Sequence, residues 1–123
     1  MKVLMDRQAA ESLLVLARAR HPNEAILLLR GKLVDSDVHV EEVVIPPFGS
    51  GGRGFAHFPS HALPIDFSIV GTAHSHPTGY PQPSSTDLNN FYSRIMIIAT
   101  RPYRPQDIAA YNKKGESIPI EFG

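Results

Sequence analysis

Two histidines and one aspartate in the middle of the chain have the residue types and spacing of a metal site. His74 and His76 stand two residues apart at the end of an apolar segment, so in a strand both imidazoles point to the same face. Asp87 follows His76 by eleven residues, after a loop that contains proline and glycine. Two histidines and a carboxylate leave a fourth tetrahedral position for water, which is typical of catalytic rather than structural zinc.

Each part of this pattern also has an interpretation without chemistry. A His-x-His pair alone is as typical of a chance surface pair as of a ligand pair. Ser84 and Asp87 form a Ser-x-x-Asp sequence, which is a capping-box-like signal at a helix start. The two interpretations are compatible, because Ser84 can cap a helix and still offer its hydroxyl to a substrate oxygen. The occurrence of strand, histidine pair, loop and Ser-x-x-Asp in one continuous stretch favours the metal site.

Hydrolysis at such a site also needs a group that accepts a proton from the attacking water and returns it to the leaving amine. Glu24 is the candidate, because it opens an apolar strand directly after His21-Pro22-Asn23, where a charge adds nothing to packing. A surface carboxylate at a strand edge is the alternative, and the sequence leaves both open.

The elements that must position these side chains can be predicted from apolar periodicity. A first helix is expected over residues 6–19, with Asp6 as its N-cap. A short second helix is expected over residues 84–92. Strands are expected at 24–30 (closed by Gly31), 38–45, 67–73 and 94–100, and in a terminal hairpin of 106–112 and 117–122. This order predicts an α/β (α+β) fold with helices packed on a mixed sheet.

Composition excludes several function classes. The chain has 123 residues, the length of a single domain. It contains no cysteine, so thiolate zinc sites and thiol nucleophiles are absent. Twelve basic and twelve acidic residues cancel, which argues against a nucleic-acid partner. The longest apolar runs are strand-sized, so no membrane span is expected, and the lack of a signal-like N-terminus favours a cytoplasmic protein.

The combined motif resembles that of the JAMM, or MPN-plus (Mov34-type), zinc metalloproteases. These share a distant glutamate, then His-x-His-Pro, then Ser-x-x-Asp. The corresponding residues here are Glu24, His74-Ser75-His76-Pro77 and Ser84-Ser85-Thr86-Asp87. The helix before His21-Pro22-Asn23-Glu24, and Val70-Gly71 ahead of the first ligand, look like the short archaeal members. The resemblance covers essentially the whole chain.

The resemblance implies a JAMM/MPN (cytidine-deaminase-like) fold over residues 1–123, in which a curved, partly barrelled mixed sheet is flanked by helices. It implies one Zn²⁺ per chain, held by His74, His76 and Asp87 with water in the fourth position. Glu24 is then the general acid/base, and the Ser84 hydroxyl stabilises the oxyanion of the tetrahedral intermediate.

The resemblance also implies a substrate class. Members of the family hydrolyse peptide or isopeptide bonds after the C-terminal Gly-Gly of ubiquitin-like proteins, which in archaea are small modifier proteins that include sulfur carriers. The alternatives are a processing protease that removes linear extensions from a sulfur carrier, and a non-catalytic module that binds a ubiquitin-like tail. Phe48, Arg53 and Tyr80 are predicted to line the substrate groove, and a homodimer is possible.

Other residues with chemical potential are predicted to have structural roles. His57 and His61 have helical ligand spacing, but Pro59 between them argues against a helix. His21 and His39 are predicted to be exposed and without a chemical role. The basic and aromatic segment 101–104 is predicted to be a solvated loop, with contact to an acidic partner as the alternative.

Overall fold

The structure is a computed structural model that describes residues 1–46 and 68–123. Two helices are present in these ranges, α1 (Arg7–Arg20) and α2 (Ser85–Asn89), together with a 3₁₀ turn at Pro105–Asp107. The strands are β1 (Val3–Met5), β2 (Ile26–Val34), β3 (Asp37–Val44), β4 (Ile69–His76), β5 (Ile95–Thr100), β6 (Ile108–Tyr111), β7 (Ser117–Ile118) and β8 (Ile120–Phe122).

The strands form one mixed sheet in the order β7-β6-β5-β4-β2-β3-β1-β8. β4 and β5 are parallel, and β1 is parallel to both β3 and β8, while the other neighbours are antiparallel. β7 and β8 are separated by Pro119 alone, so the C-terminal segment pairs with both ends of the sheet. The sheet is therefore strongly curved, which confirms the expectation of a curved mixed sheet flanked by helices.

Helix α1 packs its apolar side on one face of this sheet. Leu13 and Ala17 are fully buried there, and they share one hydrophobic cluster with residues of most strands. Truncation of a buried leucine such as Leu13 to alanine is expected to cost about 2–5 kcal/mol. None of the helices in the described ranges is long and apolar enough to cross a membrane.

The two faces of β4 serve different purposes. Ala73 belongs to the cluster that packs against α1. His74 is the register partner of Ile26 on β2 and of Ile98 on β5, and these two isoleucines belong to separate clusters. Since successive side chains alternate between faces, the histidines lie on the face away from α1. The core stabilised by α1 thus supports the candidate site from behind.

Several predicted boundaries differ from the structure. β2 does not end at Gly31 but continues to Val34, with a register shift between Arg30 and Gly31. A Cβ at Gly31 would lie 1.8 Å from the carbonyl oxygen of His39, so glycine is needed here for close strand approach. β4 extends to His76 and includes the two histidines, whereas the predicted start at residue 67 lies outside the described residues.

The helix ends also differ from the predictions. α2 covers five residues and stops well before Tyr92. Asp6 occupies the N-cap position of α1, but its side chain makes no capping hydrogen bond and instead lies 2.7 Å from His39 Nε2. β1 was not predicted, because a three-residue strand leaves too little periodicity to detect. The terminal hairpin is confirmed by the antiparallel pairing of β6 and β7.

Candidate metal centre

His74, His76 and Asp87 meet on the face of β4 that points away from α1. Each offers one ligand atom, and these atoms all lie within 4.8 Å of one another. The three residues are 3%, 7% and 8% exposed, respectively. The strand supplies both histidines from one face, and the first turn of α2 supplies the carboxylate.

A capping box holds Asp87 in place. The backbone N–H of Asp87 donates to Ser84 Oγ (3.0 Å), and the backbone N–H of Ser84 donates to Asp87 Oδ2 (2.9 Å). Both interpretations of Ser-x-x-Asp therefore apply: the motif caps α2, and the same cap fixes the carboxylate toward the histidines.

The tautomer of His76 is set by the loop after β4. His76 Nδ1 donates to the carbonyl oxygen of Tyr80 (2.9 Å), because a carbonyl can only accept. His76 Nε2 then faces Asp87 Oδ2 at 3.1 Å. The Tyr111 hydroxyl donates to the carbonyl of Pro81 and anchors the same loop. In metal sites, a backbone carbonyl of this kind orients the ring and leaves the other nitrogen free to ligate.

His74 provides a test of whether the site suits a metal. Its Nδ1 lies 3.2 Å from Asp87 Oδ1, but the contact lacks hydrogen-bond geometry, and this buried nitrogen has no hydrogen-bond partner. An unsatisfied buried polar atom is costly. Two imidazole nitrogens and a carboxylate in reach of one point are a donor set that suits zinc, so the residues present fit a metal ion.

The charges of the cluster are strongly coupled. Burial by itself would raise the pKa of Asp87, but its contacts with His74 and His76 and the Ser84 N–H outweigh burial and hold this pKa well below its usual range. Burial by itself would lower the pKa of His76, yet the contacts with Asp87 and the Tyr80 carbonyl, and the nearby Glu24 charge, raise it. The cluster therefore favours bound positive charge.

Glu24 reaches the cluster from the connection between α1 and β2. Its Oε1 lies 3.9 Å from His76 Nε2, and its side chain is 24% exposed. The next residue is fixed to β4, because the Ala25 N–H donates to Ser75 Oγ (2.7 Å) and the Ser75 N–H donates to the Ala25 carbonyl (3.1 Å). The structure thus places Glu24 beside the histidines and not at a remote strand edge.

The sequence analysis did not identify the role of Ser75. Its side chain is completely buried and lies on the face opposite the two histidines, where its hydroxyl accepts the Ala25 N–H. The only sequence signal was the alternation that turns Ser75 away from the ligands, and that alternation does not reveal the partner.

The predicted groove residues have different outcomes. The side chain of Tyr80 is 60% exposed beside the cluster, while its carbonyl orients His76. Phe48 and Arg53 lie outside the described residues, as do His57 and His61. A role for Tyr80, Phe48 or Arg53 in substrate binding therefore stays a prediction.

Together, a curved mixed sheet and a buried His-His-Asp cluster on one strand and one helix turn define a small domain with a metal-type site. Residues 6–113 match the family of prokaryotic homologs of the JAB domain. The chain belongs to this family, which confirms the resemblance drawn from the motif.

Individual relatives agree with this assignment. A probable metalloprotease from Haloferax volcanii is 41% identical over 103 residues, which cover 78% of this chain and 64% of that protein. This chain thus spans less than two thirds of the length of that curated relative. A crystal structure of a JAB1/MPN domain protein from Archaeoglobus fulgidus is 31% identical, with a TM-score of 0.73 over 99% of this chain and 98% of that one.

A second solved structure bears on the site itself. It is described as JAMM, a metalloprotease-like zinc site in the proteasome and signalosome. It is 26% identical to this chain, with a TM-score of 0.73 over 100% of this chain and 99% of that one. The JAMM/MPN fold that the motif implied is therefore the fold of this protein.

Proposed function

We propose that this protein is a zinc-dependent peptidase that hydrolyses the bond after the C-terminal Gly-Gly of a ubiquitin-like modifier, releasing the modifier from a lysine of its target. The observation that carries the proposal is the buried His74–His76–Asp87 cluster with Glu24 Oε1 3.9 Å from His76 Nε2. The family and the likeness to a protein described as a probable metalloprotease support the hydrolase class.

His74, His76 and Asp87 would hold one zinc ion. Three protein ligands are typical of catalytic zinc, whereas structural sites use four. When bound, zinc supplies Lewis acidity, which lowers the pKa of a coordinated water to about 7 and polarises a carbonyl.

Glu24 serves as the proton carrier. It is partly exposed, so its carboxylate can exchange protons with water, accept one from the attacking water and deliver it to the leaving nitrogen. Ser84 Oγ accepts the Asp87 N–H, and this leaves the Ser84 hydroxyl proton available to donate to the substrate carbonyl oxygen. The capping and catalytic roles of Ser84 therefore use different parts of one hydroxyl.

The substrate class rests on the family resemblance and on the chemistry of a Gly-Gly tail. A tail without side chains can lie extended in a narrow groove and be held by backbone pairing. The exposed Tyr80 ring next to His76 is a candidate wall of this groove, with Phe48 and Arg53 as further candidates. A homodimer and a cytoplasmic location are kept as predictions.

The test compares two substrates with the zinc-loaded protein. One is a ubiquitin-like modifier joined through its Gly-Gly to a lysine, and the other is the same modifier with a linear C-terminal extension. We expect cleavage of the lysine conjugate, loss of activity with phenanthroline, and recovery when zinc is added back. Cleavage of the linear fusion alone would favour a processing protease for a sulfur carrier. Tight binding that survives chelation, without any cleavage, would indicate a non-catalytic module and would refute the proposal.

A further inference from the structure

We propose that Tyr103 and His21 are positioning residues, whose contact fixes the segment 21–25 and thereby keeps the Glu24 carboxylate beside His76. This role rests on the proposed function, in which Glu24 moves the proton of the hydrolysis. Neither residue contacts the three candidate ligands through its side chain, so both act through Glu24.

The contact joins a fixed side chain to an exposed one. Tyr103 is 3% exposed and belongs to the main hydrophobic cluster. Its Oη lies 2.8 Å from His21 Nδ1, and the two rings meet edge to face at 5.6 Å. His21 is exposed and follows the last residue of α1. Because Tyr103 is held by the core, the contact restrains the start of the segment that carries Glu24.

The backbone of Tyr103 is itself held in an uncommon conformation. Its φ is 67°, a left-handed value that costs a bulky residue about 1–3 kcal/mol and persists only when surrounding contacts impose it. The Tyr103 carbonyl accepts from Arg18 Nη2 (2.6 Å), and its N–H donates to the carbonyl of Thr100 (2.8 Å). The loop after β5 is thus attached to the end of α1 through both the side chain and the backbone of one residue.

The same loop is attached to the ligand strand. The N–H of Arg101 donates to the carbonyl of His76 (3.4 Å). Through residues 101–103, the end of α1 is therefore connected to the strand end that carries His76. The distance between Glu24 and His76 depends on this connection.

Glu24 lies between two attachments. On its C-terminal side, Ala25 is fixed to Ser75 of β4 by two hydrogen bonds. On its N-terminal side, His21 is fixed by Tyr103. With the second attachment lost, the segment could pivot about Ala25 and carry the carboxylate away from His76.

The ionisation of Tyr103 agrees with this arrangement. Burial raises its pKa, Arg101 lowers it, and the negative charge of Glu24 raises it further. The net shift is upward, so the phenol stays protonated and can donate to a neutral imidazole at His21. The influence of Glu24 also indicates that the carboxylate lies close to the Tyr103 ring.

The experiment uses the full chain with Tyr103→Phe, His21→Ala and His21→Asn. Tyr103→Phe removes only the hydroxyl, and His21→Ala changes an exposed residue, so it carries the test should Tyr103→Phe fail to fold. His21→Asn is the rescue variant, because its amide occupies the place of Nδ1. Tyr92→Phe is the matched control, since it removes a phenol hydroxyl from another partly buried tyrosine. Amide hydrogen exchange at residues 23–25, zinc content, kcat and KM are measured for each.

We expect Tyr103→Phe and His21→Ala to speed exchange at residues 23 and 24 and to lower kcat, each by about tenfold. Zinc content and KM should stay unchanged, His21→Asn should restore most of both effects, and Tyr92→Phe should match the wild type. Exchange and kcat equal to those of Tyr92→Phe would overturn the proposal, as would loss of zinc together with kcat. If the wild type cleaves no conjugate but exchange responds as expected, the proposed function fails while the attachment of the Glu24 segment is supported.

Discussion

The two carboxylates of the site, Asp87 and Glu24, are held in opposite ways. Asp87 is buried and fixed by hydrogen bonds with Ser84, three residues away. Glu24 is partly exposed, and its segment is fixed by Ser75 and Tyr103, through contacts that join residues 50 and 82 positions apart. One carboxylate is thus placed by its own helix turn, and the other by the tertiary fold.

This difference matches the chemistry proposed for each group. A metal ligand must stay deprotonated, and the histidines and the Ser84 N–H hold the pKa of Asp87 low despite its burial. A proton carrier must exchange with water and move between two reacting atoms, and Glu24 is accessible and sits in a connection between elements. The comparison teaches that the rigid group has a local frame, whereas the working group depends on distant contacts.

The largest effect is expected from removal of a ligand. Asp87→Ala should abolish stoichiometric zinc binding, measured by elemental analysis, and with it all conjugate cleavage, because two histidines alone do not complete the site. His74→Ala should behave alike. Asp107→Ala is the matched control, since Asp107 makes a similar local contact with Arg104 at the 3₁₀ turn and should keep zinc and activity. Full zinc content in Asp87→Ala would contradict the assigned ligand set.

Glu24→Gln should separate the two carboxylates. The variant keeps the size and hydrogen-bonding capacity of the side chain but cannot carry the proton, so kcat should fall by about 10²–10⁴-fold. Zinc content and thermal stability should match the wild type. Glu42→Gln, at an exposed carboxylate on β3, is the control and should leave kcat unchanged. Loss of zinc in Glu24→Gln would show that Glu24 belongs to the metal site and not to proton transfer.

Ser84 tests whether the local frame of Asp87 also does chemistry. Ser84→Gly removes the hydroxyl, while glycine is tolerated at an N-cap with only a few tenths of a kcal/mol lost. If the hydroxyl stabilises the oxyanion, kcat should fall by about 10²–10³-fold with near-normal zinc content and melting temperature. Ser84→Thr keeps both hydroxyl and cap and should stay close to the wild type. Normal kcat in Ser84→Gly would leave Ser84 as a cap alone.

Acid should weaken zinc binding through His76. Its folded pKa is raised above the ordinary value of 6.5, so in the metal-free protein its stabilising contribution is full below pH 6.5 and is lost as pH rises through the folded pKa. The contribution of Asp87, whose pKa is lowered from 3.8, is present above that value and is lost in acid. Zinc competes with the proton on His76, so its affinity should fall by about tenfold per pH unit below 6.5.

Calorimetry between pH 5.5 and 8 measures this change, together with the melting temperature with and without zinc. The increase in melting temperature caused by zinc should grow toward pH 8. His39→Gln, at the remote contact of His39 with Asp6, should keep the same slope. A zinc affinity that does not change with pH would mean that His76 is not a ligand.

The local frame was accessible from the sequence, and the tertiary frame was not. The histidine pair and Ser-x-x-Asp lie within short stretches, where strand alternation and capping geometry dictate the outcome. Glu24 was a candidate only because its charge had no packing role. The burial of Tyr103 contradicts the expectation of a solvated loop at 101–104, because the charged neighbours obscured a ring whose partners lie on α1. Gly31 likewise resembled a strand end until the close approach of β3 explained it.

Ser75→Ala should produce the smallest effect and the sharpest view of the tertiary frame. It leaves the Ala25 N–H without its acceptor, so the free energy of unfolding should fall by about 1–3 kcal/mol. Zinc content should be retained, since Ser75 lies on the opposite face of β4, while kcat falls moderately because Ala25 no longer fixes the segment behind Glu24. Ser93→Ala removes a hydroxyl that donates to the carbonyl of Ile69, far from Glu24, and should lower stability without a change in kcat. Equal kcat in both variants would indicate that Ser75 contributes to folding but not to the placement of Glu24.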